Sequence, residues 1–180
     1  MIEFLIVIGI LVFAVGSSLL FLTSVLRGSN QSNVTAEVKQ NGQAVLDSLD
    51  SQIRNGTDAV SAILGGTSSA ARVTLSDGRY LYLGCIGAGS GTNGWIGTKT
   101  ALTTDPVPTS ATLISVTNTD AVSGVNITNC TFTVQPASTG AISPAVVMVA
   151  FVANQGISAP VRSDYNASAA FQTTISLRKY

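Results

Sequence analysis

Apolar residues run almost without interruption from Phe4 to Leu26, and no formal charge falls inside that stretch. At 1.5 Å per residue a helix of this length reaches roughly 35 Å, enough to cross the hydrocarbon core of a bilayer. One carboxylate, Glu3, breaks the apolar start. An unpaired acid at such a depth is strongly disfavoured, so it is by default a functional group in search of a partner. The nearest candidate is an α-amino group at the chain start. After Arg27 the pattern becomes amphipathic: Val34, Val38, Val45, Leu49 and Ile53 recur at helical spacing, while Glu37, Lys39, Asp47, Asp50 and Arg54 fall largely elsewhere. This predicts one continuing helix, with Gly28-Ser29-Asn30 as a candidate bend and Asn55-Gly56, then Gly65-Gly66, as stops. Its full length would be about 80 Å. The competing reading, a signal anchor before an ordinary core helix, is disfavoured by the continuity of the two segments, since a tethered domain more often has a flexible linker there.

Beyond Gly66 the period shortens to that of strands. Segments 72–76 and 79–83 flank Asp77-Gly78, a dipeptide that supplies the positive-φ turn of a hairpin. Segments 111–117, 125–134, 145–152 and 171–178 alternate or run apolar with β-branched residues and predict further strands. The Gly-rich stretch 84–100 reads as a mobile surface loop, with Trp95 anchoring it on the sheet. The expected fold class is α+β: a long N-terminal α-helix whose second half packs on a C-terminal antiparallel β-sheet. Its parts are a hydrophobic helix over 1–27, an amphipathic continuation over 28–66 and a sheet head over 67–180.

Composition narrows the functions available. Of the 180 residues 10% are charged, where about 25% is usual, so the surface must be polar but nearly uncharged. Nine basic and nine acidic residues cancel without a clustered basic stripe, which leaves no electrostatic basis for direct nucleic-acid binding. No second apolar run of spanning length exists; 145–152 is too short. Catalysis has few footholds: there is no histidine, and Asp58, Asp77, Asp105, Asp120 and Asp164 show no paired spacing. Gly89-Ser-Gly-Thr-Asn-Gly94 formally matches GxGxxG but lacks a surrounding strand-to-helix unit, so dinucleotide binding is not expected. The expectation is a protein that is not an enzyme.

Cys85 and Cys130 are the only cysteines. Without histidine or a CxxC pair they lack the ligand set of a zinc site, and a disulfide is favoured over two buried free thiols. Such a bond would place the domain outside the reducing cytoplasm. No metal and no cofactor is expected. Asn-X-Ser/Thr sequons begin at Asn30, Asn33, Asn55, Asn126, Asn129 and Asn166; in so Ser- and Thr-rich a chain some arise by chance, the unmodified reading is favoured, and Asn129 is further compromised by Cys130 beside it.

The segment Ile2-Glu3-Phe4-Leu5-Ile6-Val7-Ile8-Gly9-Ile10-Leu11 resembles the N-terminal segment of mature type IV pilins and pseudopilins, whose hydrophobic helix holds a glutamate near its exposed end. Stretch 40–55 also resembles the second half of the long helix in minor-pilin-like proteins, and 171–178 the closing strand of some pilin-like proteins. In the family the glutamate is usually the fifth residue after the prepilin peptidase cut; here it is third, behind Met1-Ile2. The resemblance implies a structural subunit of an extracellular filament, held in the cytoplasmic membrane before assembly and serving adhesion or motility. Its partners would be copies of itself in a helical homo-oligomer, with the peptidase and the assembly machinery. Assembly contacts are then expected at Glu3, Phe4, Ile8, Gly9 and Gly16. Gly9 and Gly16-Ser17-Ser18 admit two readings, local stretching of the helix in a polymer or close packing at small residues. A minor pilin, a secretion pseudopilin and a singly displayed anchored adhesin are the alternatives. The absence of clustered acids after Asp120 argues against the calcium-binding pseudopilins.

Overall fold

The computed structural model describes residues 2–137, 143–160 and 166–178. One helix, α1, runs from Ile2 to Ile53. It is followed by strands β1 (Gly56–Ser61), β2 (Ser69–Leu75), β3 (Tyr80–Ile86), β4 (Trp95–Ala101), β5 (Ile114–Ser115), β6 (Val125–Gln135), β7 (Val146–Gln155) and β8 (Ser168–Ser176). The fold is α+β, with the second half of α1 packed on antiparallel sheet. The strands form two sheets: five strands in the order β1-β2-β3-β4-β5, and three in the order β6-β7-β8.

The amphipathic stripe does what its spacing requires. Val38, Val45, Leu49 and Ile53 are buried, Val34 is half-buried, and all five join the main core. The helix passes unbroken through Gly28-Ser29-Asn30, so the candidate bend does not interrupt it. It ends at Ile53, by the first of the two candidate stops, so the amphipathic segment expected over 28–66 is helical only to Ile53 and gives way to β1. The Asn55 amide donates to the Ser51 carbonyl at 3.2 Å, and Gly56 starts β1 in a space that a side chain would have to share with Val73 and Leu177. Gly42 makes a similar allowance within α1. Its missing side chain leaves room for the Phe171 ring, which in turn stacks on Phe151 at 5.3 Å.

The predicted hairpin is present as β2 and β3, with Gly78 at φ 82 in the turn. Four features differ from the sequence reading. A strand, β1, follows the helix directly, pairing with β2. Trp95–Ala101 is strand β4 rather than loop; Gly84 and Gly97 pair across β3 and β4, leaving outward space that Trp95 and Leu113 fill. Segment 111–117 yields only a 3-10 turn (Ser110–Thr112) and the two-residue β5. Finally there are two sheets because β6 does not continue the order of the first. It crosses the ends of those strands: the Ile127 N–H donates to the Gly94 carbonyl at 2.9 Å, Cys130 is joined to Cys85, and the Phe132 N–H donates to the Ser69 hydroxyl oxygen at 2.9 Å. The three-stranded sheet thus faces α1 through β7 and β8, and the five-stranded sheet through β6.

A bulge in β6 makes this possible. Val125 and Ile127 face the core, and so do Cys130 and Phe132, a change of parity that needs one extra residue. The pairing with β7 shifts between Thr128 and Thr131, and Asn129 takes φ 49. Asparagine tolerates that left-handed conformation better than most residues other than glycine.

Gly42→Leu is expected to displace Phe171 and lower stability by about 1–3 kcal/mol, seen as a fall in the thermal unfolding midpoint. An unchanged midpoint would show that Phe171 relocates without loss.

Candidate functional site

From Ile2 to Ser29 no other described part of the chain covers the helix. Every residue there is exposed, including Phe4 at 75% and Phe13 at 80%. Monomers in water rarely leave so large a contiguous apolar surface uncovered. This is the one described helix long and apolar enough to cross a membrane, and the feature points to membrane association or a signal-like role.

Three of the four hydroxyl side chains within the rod bond back to the helix itself. Ser17 and Ser18 both donate to the Ala14 carbonyl at 2.9 Å, and Thr23 donates to that of Leu20 at 2.9 Å. Each hydroxyl thereby returns its hydrogen bond to the preceding turn. Glu3 lies in the first turn of the helix. Ile8 is exposed, and a side chain added at Gly9 or Gly16 would meet nothing within 4 Å. Neither glycine is therefore required by packing within this chain. The structure places Glu3, Phe4, Ile8, Gly9 and Gly16 together on one uncovered rod.

At the base of the head the structure shows an organising residue that sequence reasoning missed. Asn93 is fully buried; its amide donates to the Asp120 carbonyl at 2.6 Å and its side-chain oxygen accepts from Ile157 N–H at 2.9 Å. Gly94 N–H in turn donates to Asn126 Oδ1 at 2.8 Å. The Gly-rich stretch therefore closes in a tight turn at Gly89 and Thr92 and is then clipped to two other loops. No sequence pattern distinguishes Asn93, because its partners lie 27 and 64 residues away.

Asp120 closes the adjoining turn. Its Oδ1 accepts from Ser123 N–H at 2.7 Å, the Ser123 hydroxyl at 2.9 Å and Val122 N–H at 3.0 Å. These bonds, with the Ser123 N–H foremost, hold its pKa below the ordinary 3.8. Asp77 is likewise lowered, chiefly by the hydrogen bond from the Arg79 side chain and then by the Arg79 N–H.

Cys85 and Cys130 form a disulfide across the two sheets, closing an interval of 45 residues. Among the described residues no group of three or more His, Cys, Asp or Glu could hold a metal. Comparison with protein families, curated proteins and solved structures finds no match to this chain.

Two outcomes follow for the head. Replacing both cysteines by serine is expected to lower stability by up to about 4 kcal/mol, read from denaturant unfolding with and without reductant; equal curves would assign the bond no role. For Asp120 the folded pKa is depressed, so its contribution is complete above the unfolded value and is lost as pH falls through the folded one. The gap in unfolding midpoint between wild type and Asp120→Asn should therefore be widest near neutrality and close below about pH 4. A gap independent of pH would mean that the carboxylate charge contributes nothing.

Proposed function

We propose that this chain is a type IV pilin-like structural subunit, stored in the cytoplasmic membrane by its N-terminal helix and assembled into an extracellular filament that serves adhesion or motility. The observation that carries the reading is the fully uncovered apolar rod, Ile2 to Leu26, bearing one acid and held in a continuous helix with a folded head. The resemblance of 2–11 to the pilin N-terminal segment supports it, as does the disulfide, which suits an oxidising compartment.

In this reading the rod moves from lipid into a bundle of its own copies. Lipid and bundle are both apolar, so the hydrophobic term changes little and the gain must come from close packing, from pairing of Glu3 and from work done by an assembly machine. Phe4 and Ile8 supply packing surface, while Gly9 and Gly16 permit close approach of a neighbouring helix. Glu3 sets the axial register: a neighbour's α-amino group neutralises it only when the incoming subunit docks at the right height.

Glu3→Ala is expected to leave the head folded, with its disulfide intact, and to abolish or cripple filament formation at matched expression. Electron microscopy of sheared surface material provides the count. Normal filament numbers from this variant would overturn the role of Glu3, and detergent-soluble monomers without any fibres from the wild type would favour a singly displayed anchored protein.

A further inference from the structure

Six of the ten asparagines begin Asn-X-Ser/Thr, where the content of 41 Ser and Thr in 180 residues would leave about two by chance. The fold sorts these six. Asn126 is half-buried with its Oδ1 committed to Gly94 N–H, and the Asn55 Nδ2 donates to Ser51. Asn30 and Asn33 lie in α1, where residues two apart point to different sides of the helix, and they follow the apolar rod by roughly 10 Å or less. In the remaining two sequons, Asn129-Cys130-Thr131 and Asn166-Ala167-Ser168, the asparagine and the hydroxyl residue are exposed together.

Those two sequons belong to one surface. Thr131 on β6 and Ser168 on β8 face away from the core, on the outer side of the three-stranded sheet. No residue of β6, β7 or β8 is charged; Thr133, Met148, Gln172 and Thr174 continue the same exposed face. The described charged residues lie on α1, on the five-stranded sheet, in loops and at Arg178 after β8. An extended outer face without charge lacks the repulsion that commonly keeps sheet surfaces from associating. Bulky, hydrated substituents would provide that separation.

We propose that Asn129 and Asn166 carry N-linked oligosaccharides, making the outer side of the three-stranded sheet a glycan-bearing face. The donor class is a lipid-linked oligosaccharide used by a membrane transferase outside the cytoplasm. In the transfer, Asn Nδ2 bonds to the anomeric carbon, that carbon's bond to the lipid phosphate oxygen breaks, the lipid phosphate leaves with the electron pair, and one amide proton is lost to base. The assignment requires export of the head but not polymerisation, so it is tested on membrane-extracted protein irrespective of filament formation.

The experiment is glycopeptide mapping and intact mass of the full chain purified from its own cells. Peptides spanning Asn129 and Asn166 should carry saccharide masses. Because Asn129 occupies a left-handed position, Asn129→Gln risks misfolding; Thr131→Val keeps Asn129, sits on an exposed strand position and should still remove the mass at that peptide. Ser168→Ala should do the same for Asn166. Recovery of either peptide wholly unmodified overturns the assignment at that residue. Retention of the added mass in Thr131→Val or Ser168→Ala would also overturn it, because the sugar would then not depend on the sequon.

Discussion

Water cannot be the partner of residues 2–26. A helix that exposes Phe4, Phe13, Leu20 and Phe21 by more than 70% each holds its neighbours to one requirement: lipid or protein must surround it. The interior chemistry of the rod suits either medium, since Ser17, Ser18 and Thr23 satisfy their hydroxyls within the helix. Within the apolar stretch only Glu3 is acidic, and an acid at that place calls for a partner. Under the proposed reading a group indifferent to lipid or bundle gives no preference for either. The acid supplies the preference.

The proposed reading adds a second requirement, that position at the rod be transmitted to the head. The helix carries both parts without a linker, and its buried stripe from Val38 to Ile53 is the inner wall of the core. Leu49 and Ile53 are fully buried, and truncating one such side chain to alanine typically costs about 2–5 kcal/mol. Gly42 brings Phe171 of β8 onto the helix, and Gly56, just beyond the helix end, admits Leu177 after β8, so β8 cannot shift without disturbing both. On the far side the disulfide joins β3 to β6 after the bulge has turned Cys130 inward. The head is thereby held at the helix and across the two sheets.

The sequence discloses the elements whose period is uninterrupted. The apolar rod, the stripe at Val34 to Ile53, the Asp77-Gly78 hairpin and the long strands β6, β7 and β8 are all legible, because each alternation is set by a single buried face. Strand β1 is not, since Gly56-Thr-Asp-Ala-Val-Ser61 begins at a helix stop signal and buries only Gly56 and Ala59 well. Strand β4 hides among glycines that are there to admit Trp95 and Leu113, not to confer mobility. The division into two sheets depends on one extra residue in β6, and the loop clip depends on Asn93; both act through partners remote in sequence. For the candidate site, the rod and its five residues can be read directly, while exposure of the sequons cannot, because six identical motifs differ only in where the chain folds them.

The placement of charge links the rod to the outer sheet. Helix α1 packs against the core side of β7 and β8, so the opposite side of that sheet points away from the helix. In a bundle with the rods at its centre, that side looks outward to solvent and not toward the axis. Ordinarily charge would solubilise such a face, yet these three strands contain none, and the charges of the head are carried elsewhere. In the proposed filament, uncharged hydroxyl and amide groups would limit electrostatic repulsion between closely spaced copies, but they would also leave little to oppose lateral aggregation of finished polymers. Oligosaccharide on Asn129 and Asn166 resolves that conflict: it excludes neighbours by volume and hydration without placing like charges at a repeating contact, and its effect therefore does not depend on salt.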